Sequence, residues 1–224
     1  MTHMPHFSLP ATAISVTIHR VLQFRTNWSI IRNMSRPQEF DTQAVLGQAM
    51  RVFWRKGYEA TSMADLLHAT GLSKSSLYAT FNSKRDLFLA AFDDYRRGRA
   101  KDMFKMLSDD PARAAIEKFF HMAISDAWTC NGEGCMTINQ AVEMAPTDVG
   151  VAIRVREDFL GMEKAFAKTI ERGQRDGSIA SSMPALDLAR LFVVAFPGLQ
   201  VMVRAGCEVA DIEARLTALL AVLD

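Results

Sequence analysis

The chain has 224 residues, of which 49% are hydrophobic and 23% charged, and its formal net charge is +1. This balance is ordinary for a globular protein of one or two domains. No uninterrupted apolar run approaches the roughly 18 residues of a membrane span, so we expect a soluble protein without a membrane partner. A net charge this small excludes nucleic-acid binding through a protein-wide basic field and leaves only a local set of donors for such contacts.

The first 33 residues contain no Asp or Glu and show no clean helical or strand period. Polar residues interrupt the stretch from Ile14 to Ile31, which therefore lacks the apolar region of a signal peptide. We expect residues 1–35 to be a disordered N-terminal extension, with Met34 as the physiological start. A basic arm that enters a DNA groove is the alternative interpretation.

Helix signals follow one another from residue 41 onward, and no strand signal competes with them. A first capped helix is predicted to end at Gly57. Ser62 opens a capping box for a second helix, which Gly71 ends after two turns. Ser73 predicts the cap of a third short helix, and Ser83 predicts the cap of a long fourth one. Short capped helices joined by a tight glycine turn are the layout of a helix-turn-helix, predicted here for residues 36–84.

The remaining residues, 85–224, are predicted to form a second helical domain. Apolar residues recur there at helical spacing, and Pro and Gly residues separate the segments. The predicted helices run from about Pro111 to Trp128, Met136 to Ala145, a cap at Thr147 or Asp148 to Asp176, Ala185 to Arg204 and Val209 to Val222. The sequence therefore predicts an all-α fold, with a three-helix helix-turn-helix domain followed by a second helical domain.

Polar side chains at three helix starts between residues 61 and 84 are suited to contact a DNA duplex. Small serines at the start of the third helix would let its backbone approach the major-groove floor, where hydroxyls can bond base edges and a lysine can meet a phosphate. Each residue taken singly has a duller interpretation, as a helix cap, a solvated charge or a rim aromatic. The predicted DNA-binding residues are Thr61, Ser62, Ser73, Lys74, Ser75, Ser76, Tyr78 and Lys84.

Two stretches of this region, FWRKGYEATSMADL (Phe53–Leu66) and TGLSKSSLYATFNSK (Thr70–Lys84), closely resemble the DNA-binding segment of TetR-family repressors. The rest of the chain resembles that family's ligand domain in length and helix order. The resemblance implies a homodimeric repressor that a small molecule releases from a palindromic operator, with activation by the ligand as the alternative. Thr80 departs from the family, which often has a phosphate-reaching His or other aromatic there, so this contact is expected to be weak or absent.

The resemblance also implies a ligand pocket enclosed by the central helices. Abundant Met and Phe residues suit an adaptable pocket for a largely apolar effector, although most such residues at helical spacing belong to a core. Asn139 and Glu143 are the expected polar anchors, with solvent exposure as the alternative. The predicted ligand-binding residues are Met122, Trp128, Asn139, Glu143, Phe159, Met162, Phe166 and Phe196.

The last two helices are apolar on more than one face, which exceeds what one protomer needs to bury. This excess indicates a homodimer interface, and the resemblance implies a four-helix bundle across a two-fold axis. A dimer would also place two recognition helices in successive major grooves. Ligand binding is expected to swing the helix that starts at Ser83 and so spoil their spacing.

Three cysteines without a secretory signal fit a reducing cytoplasm, which is the expected location. Cys130 and Cys135 flank a Gly-rich loop and would sense oxidants if their thiolates were stabilised, but the loop holds no Lys or Arg to do so. No His accompanies the pair at ligand spacing, so no metal site is expected. No cofactor is expected either.

The sequence disfavours two other classes of protein. The sequence shows no Ser-His-Asp order, paired-carboxylate motif, phosphate loop or HExxH motif, so an enzyme is not expected. A non-specific DNA-binding protein would need a strongly basic surface, which this chain lacks. Preference for a palindrome over scrambled DNA would separate both classes from a regulator.

Overall fold

A computed structural model describes residues 40–109, 111–129 and 133–224, without the side chains of residues 126–129. The predicted extension at 1–35 and the predicted redox residue Cys130 lie outside these residues. The described residues form nine α-helices and one short 3-10 helix, with no strand among them, which confirms the all-α prediction. The helices are α1 (Thr42–Lys56), α2 (Met63–Thr70), α3 (Lys74–Phe81), α4 (Lys84–Leu107), α5 (Ala112–Thr129), α6 (Met136–Glu143), α7 (Val149–Asp176), α8 (Ala185–Arg204) and α9 (Val209–Leu220), followed by the 3-10 helix Ala221–Leu223.

The serine caps predicted in the N-terminal half are all present. Ser62 and Asp65 form a reciprocal capping box at the start of α2. Ser73 accepts a hydrogen bond from the third helical amide of α3, and Ser83 does the same for α4. Gly71 ends α2 at φ +66°, a left-handed conformation that glycine adopts without cost. The caps and this glycine therefore set the tight turn between α2 and α3.

One apolar core holds α3 in place. Leu77 is fully buried and Phe81 is 8% exposed, on the side of α3 that faces the other helices. The same core contains Phe53 of α1 and Phe88 of α4, and it extends to Val151 of α7. The predicted domain boundary after residue 84 thus falls at the first residue of α4, whose next two turns belong to the N-terminal core. The division into two domains stays a prediction.

A second core, which contains a cluster of phenylalanines, joins α5, α7 and α8. The rings of Phe120 and Phe166 stack with centroids 5.7 Å apart, and Phe192 meets each of them edge-on at 5.4–5.5 Å. All three side chains are fully buried. Such aromatic pairs add to the stabilisation that burial of their surface already supplies.

By length and composition alone, helix α8 is apolar enough to cross a membrane. It contains no uninterrupted apolar run of that length, because Asp187 and Arg190 lie in its first two turns. The core helix of a soluble protein passes the same test, and Leu188, Phe192 and Phe196 of α8 are buried in the second core. Its other side exposes Leu191, Val194 and Val201.

An ion pair fastens the start of α4 to the start of α7. Arg85 donates from Nε and Nη2 to the two carboxylate oxygens of Asp148, at 2.7 and 2.9 Å. Asp148 is also the N-cap of α7 and accepts from the amide of Val151. The hydrogen bonds from Arg85 hold the pKa of Asp148 at about 2, below its ordinary value of 3.8, although partial burial acts in the opposite direction.

Replacing Arg85 with glutamine is expected to lower the stability of the protein at neutral pH and to lower it less in acid. Because the folded-state pKa of Asp148 is the depressed one, its contribution is complete above about pH 4 and is lost as the pH falls toward about 2. The urea midpoint of Arg85→Gln should therefore approach that of the wild type over this interval. Arg97→Gln, which removes a pair exposed on α4, is the matched control. A gap that stays constant with pH would contradict the prediction.

Candidate functional site

The polar side of α3 faces outward, opposite the core. Lys74 and Ser75 are exposed, Ser76 is half-buried, and Tyr78 is 39% exposed. Leu77 lies between Ser76 and Tyr78 in sequence and points into the core. The predicted recognition residues therefore share one accessible surface, at a helix whose first turn contains no acidic residue. The partial positive charge of a helix N-terminus and the Lys74 ammonium together favour an anion at this end.

The serine hydroxyls at the start of α3 form a small network. The Oγ of Ser73 lies 2.9 Å from both the Ser75 and the Ser76 hydroxyl oxygens, and it accepts from the Ser76 amide at 3.1 Å. A hydroxyl carries one rotatable proton and two acceptor lone pairs. Ser75 and Ser76 are thus able to reorient and bond a donor or an acceptor at a base edge while the cap at Ser73 stays intact.

The prediction was wrong for the Thr61 hydroxyl, which does not face outward. Thr61 is 1% exposed, its hydroxyl donates to the Gly57 carbonyl, and its amide donates to the Tyr58 carbonyl. The turn between α1 and α2 folds back on itself and uses both groups. Ser62 is exposed, but its amide and hydroxyl both donate to the Asp65 carboxylate. Direct phosphate contact by Ser62 would require that carboxylate to move.

Lys84 begins α4 beside the α3 surface. Its ammonium lies 4.3 Å from the centre of the Tyr58 ring, which is close enough for a cation–π interaction. The contact holds the lysine side chain near the N-terminus of α4. This position agrees with a charge that faces the edge of a DNA strand, which stays a prediction.

A cavity of about 430 Å³ lies among α4, α5, α6, α7 and one residue of α8. Its apolar wall contains four of the predicted ligand-binding residues, Met122, Phe159, Met162 and Phe196, together with Met103, Met106 and Phe119. The predicted Trp128 side chain lies outside the described part of the chain. A cavity of this size and lining suits a small organic molecule.

Three predicted ligand-binding residues do not line the cavity. Phe166 is fully buried in the aromatic core, where it contacts other rings. Asn139 donates instead to the carbonyl of Glu133 at 2.9 Å. Glu143 accepts from the amide of Glu59 at 3.0 Å and so fastens α6 to the turn after α1. Helical spacing placed Asn139 and Glu143 on one face of α6, but Glu143 contacts the N-terminal half and Asn139 contacts the Glu133 main chain, so neither lines the cavity.

The polar end of the cavity was missed from the sequence. Asp158 accepts from Arg96 Nε at 2.8 Å and from the Thr137 hydroxyl at 2.9 Å, and all three residues line the cavity. Burial raises the pKa of Asp158 above its ordinary value although Arg96 acts against this. These charges occur in otherwise polar stretches of α4 and α7, which a sequence pattern cannot distinguish from a solvated face.

Cys135 also lines the cavity, where its Sγ lies 3.7 Å from the hydroxyl of Tyr95. Burial and the adjacent thiol raise the pKa of Tyr95 well above its ordinary value. Oxidant sensing by Cys135 stays a prediction, which mass spectrometry after peroxide treatment would test. Within the described ranges, no cluster of three or more His, Cys, Asp or Glu residues could hold a metal ion.

Replacing Gly57 with alanine is expected to lower the free energy of unfolding by about 1–2 kcal/mol. Gly57 has φ +84° and ψ 167°, a region that is essentially restricted to glycine, and an added Cβ would lie 2.8 Å from Glu143 Oε1. Gly98→Ala in α4 is the control, because a Cβ there meets nothing within 4 Å. Urea unfolding that shows equal midpoints for the two variants would refute the prediction.

Comparisons with known proteins all match the chain to bacterial transcription regulators. Residues 45–91 match the family model described as bacterial regulatory proteins, tetR family. The HTH-type transcriptional repressor ComR of Escherichia coli (strain K12) is 29% identical over 180 residues, which cover 79% of this chain and 86% of ComR. The uncharacterized HTH-type transcriptional regulator YezE of Bacillus subtilis (strain 168) is 34% identical over 148 residues, which cover 65% of this chain and 76% of YezE.

A solved structure extends the likeness to almost the whole described chain. A cysteine mutant of the TetR-family regulator CifR, complexed with 26-base-pair operator DNA, superposes with a TM-score of 0.75 at 26% identity. The match covers 84% of this chain and all of that one. The named relatives are transcription regulators, in agreement with the expectation that the chain is not an enzyme.

Proposed function

The chain belongs to the TetR family of bacterial regulatory proteins and is a transcriptional regulator, and from that premise we propose that it is a ligand-released repressor. In this proposal a homodimer binds a palindromic operator in the cytoplasm, and a small molecule in the cavity lowers its affinity for that operator. The observation that carries the proposal is the accessible surface of Lys74, Ser75 and Tyr78 on a short capped helix whose opposite side, with Leu77 and Phe81, is buried.

The α3 surface supports the DNA half of the proposal. Its serines are small enough for the backbone to approach a groove floor, and Lys74 supplies a charge for a phosphate. The operator-bound structure of the similar regulator CifR supports the same partner here. We include Ser62, Ser73, Lys74, Ser75, Ser76, Tyr78 and Lys84 in the proposed interface and leave out Thr61, because its side chain is buried.

The exposed sides of α8 and α9 support the homodimer. Leu191, Val194 and Val201 form an apolar stripe on α8, and α9 presents the small exposed residues Ala210 and Ala214. Small side chains let a neighbouring helix approach closely, and burial of the apolar stripe favours association. Two such pairs of helices would form a four-helix bundle.

The mixed lining of the cavity supports an amphipathic effector. Sulfur and aromatic side chains supply much of its apolar part, whereas the polar part includes Asp158, Thr137 and Tyr95 together with further charged residues of α4, α5 and α7. The three guanidinium nitrogens of Arg96 are engaged by Asp93, Glu157 and Asp158. A ligand with an apolar body and one hydrogen-bonding group would match both the apolar and the polar part of this lining.

The test begins with selection of binding sites from random-sequence duplex DNA by the purified full chain. We expect recovery of a palindrome with half-sites about one helical turn apart, bound in preference to a scrambled duplex. Sedimentation should show a dimer, and screening of small molecules should find compounds that displace the protein from the selected duplex. A monomer, or equal binding to both duplexes, would refute the proposal.

A further inference from the structure

The main-chain carbonyl of Glu133 collects hydrogen bonds from three different helices. It accepts from Trp54 Nε1 of α1 at 3.2 Å, from Asn139 Nδ2 of α6 at 2.9 Å and from Arg204 Nη1 of α8 at 2.9 Å. A carbonyl oxygen has two lone pairs, so three donors represent crowded coordination for one atom. The carbonyl links a helix of the DNA-binding half, a helix beside the cavity and a helix of the proposed dimer interface.

The same segment reaches the cavity at Cys135, two residues after Glu133. Tyr95 of α4 places its hydroxyl 3.7 Å from Cys135 Sγ and 3.4 Å from the amide of Met136, which donates to it. Tyr95 and Cys135 line the cavity. The Trp54 ring packs edge-on against the Tyr95 ring, with centroids 5.1 Å apart. Trp54 thus contacts both Glu133 and Tyr95, and Tyr95 and Cys135 form part of the cavity wall.

The surroundings of this segment combine close packing with a small void. Gly134 has φ +67°, and a Cβ there would lie 3.5 Å from the Gln200 carbonyl and 3.7 Å from Arg204 Cβ. Beside it, a gap of about 20 Å³ is lined in part by Trp54, Tyr95 and Cys135. The gap leaves the indole and phenol rings room to shift by a small amount, whereas the hydrogen bond from Arg204 to the Glu133 carbonyl joins the segment to α8.

We propose that Trp54 is the positioning residue through which the state of the cavity reaches the DNA-binding half. The inference rests on the proposed function and adds the path by which the cavity is coupled to the DNA-binding half. An occupant that displaces Tyr95 or Cys135 moves the Glu133 carbonyl, and the hydrogen bond to Trp54 transfers that movement to α1. The neighbouring Phe53 of α1 shares a core with Leu77 of α3, so α3 moves with it. Coupling between sites is reciprocal, so operator binding must alter the surroundings of Cys135 in turn.

The reciprocal effect is testable without knowledge of the effector. The probe is N-ethylmaleimide, and the readout is the alkylation rate of Cys135, resolved by mass spectrometry with Cys207 as an internal reference. Rates are compared for the full chain bound to its selected operator duplex and for the chain with a scrambled duplex. For the wild type we expect the alkylation rate of Cys135, relative to that of Cys207, to differ between the two duplexes by more than the spread of replicate measurements.

Two substitutions separate the proposed route from general loosening of the segment. Trp54→Phe keeps an aromatic ring against Tyr95 but removes the indole N–H, and it should abolish the operator-dependent difference. Asn139→Ala removes another donor to the same carbonyl from within α6, and it should keep the difference. Should Trp54→Phe fail to fold, Trp54→Met removes the same donor and fills the space with a flexible side chain.

The possible results distinguish failure of this inference from failure of the proposed function. A wild-type chain that binds its operator specifically but shows no operator-dependent change at Cys135 would overturn the inference alone. Retention of the full difference in Trp54→Phe would overturn it as well. Absence of any sequence-specific DNA binding would instead overturn the proposed function on which the inference rests.

Discussion

Operator affinity is expected to fall by about 1–3 kcal/mol, or roughly 5- to 150-fold, when Tyr78 is replaced with alanine. Tyr78 extends from the accessible side of α3 and is 39% exposed in the free protein, so the side chain has surface available for DNA. Truncation would remove the proposed phosphate or thymine-methyl contact without opening the core, because the neighbouring Leu77 is the buried residue. Gel-shift titration at fixed salt measures the change, and sedimentation checks that the dimer persists.

Lys74→Ala provides a companion test because it separates charge from shape. Loss of one phosphate contact in each protomer, or two in the proposed dimer, should weaken binding to all sequences alike and reduce the slope of log affinity against log salt by about 2. Lys101→Ala removes an exposed lysine from the middle of α4 and serves as the control. Wild-type affinity for both Tyr78→Ala and Lys74→Ala would contradict the proposed interface.

A larger loss, in stability and not in binding, is expected for Phe120→Ala. Phe120 is fully buried, and its ring lies within 5.5–5.7 Å of the rings of Phe119, Phe166 and Phe192. Truncation of a phenylalanine in such a core removes buried surface and leaves a cavity, which together cost about 3–5 kcal/mol. The free energy of unfolding in urea, measured at one fixed protein concentration because a dimer is expected, tests the value.

Phe104→Ala is the matched control for this prediction. Phe104 lies near the end of α4 and is 50% exposed, so its truncation should change the free energy of unfolding by less than about 1 kcal/mol. Equal effects of the two substitutions would show that the aromatic cluster does not dominate the stability of the C-terminal half.

The helices were predictable because their start and stop signals are local. Ser62, Ser73 and Ser83 each bond an amide three residues ahead, so a short window of sequence contains the whole motif. The accessible surface of α3 follows from the same local pattern, since Leu77 and Phe81 must face the core. The side chain at Thr61 failed this reasoning because its partner, the Gly57 carbonyl, becomes available only once α1 has ended.

The cavity was only partly predictable because its walls come from distant segments. Met162 and Phe196 were found as apolar residues at helical spacing, but the same reasoning wrongly added Phe166, which faces the core. Glu143 was misassigned because spacing along α6 says nothing about which neighbour the helix faces. The pairing of Arg96 with Asp158 spans 62 positions along the chain, a distance that no periodic pattern detects.

The core that α3 shares with α1, α4 and α7 limits how the DNA-binding segment can be transferred to another regulator. Phe53 and Leu77 share one buried core with Phe88 of α4 and Val151 of α7. A fragment cut after residue 84 would lose Phe88 and Val151 and leave a large apolar surface in water. A chimaera with the DNA-binding segment of this protein must therefore include the first turns of α4. The protein that receives the segment must also supply apolar residues equivalent to those that α6 and α7 contribute to this core.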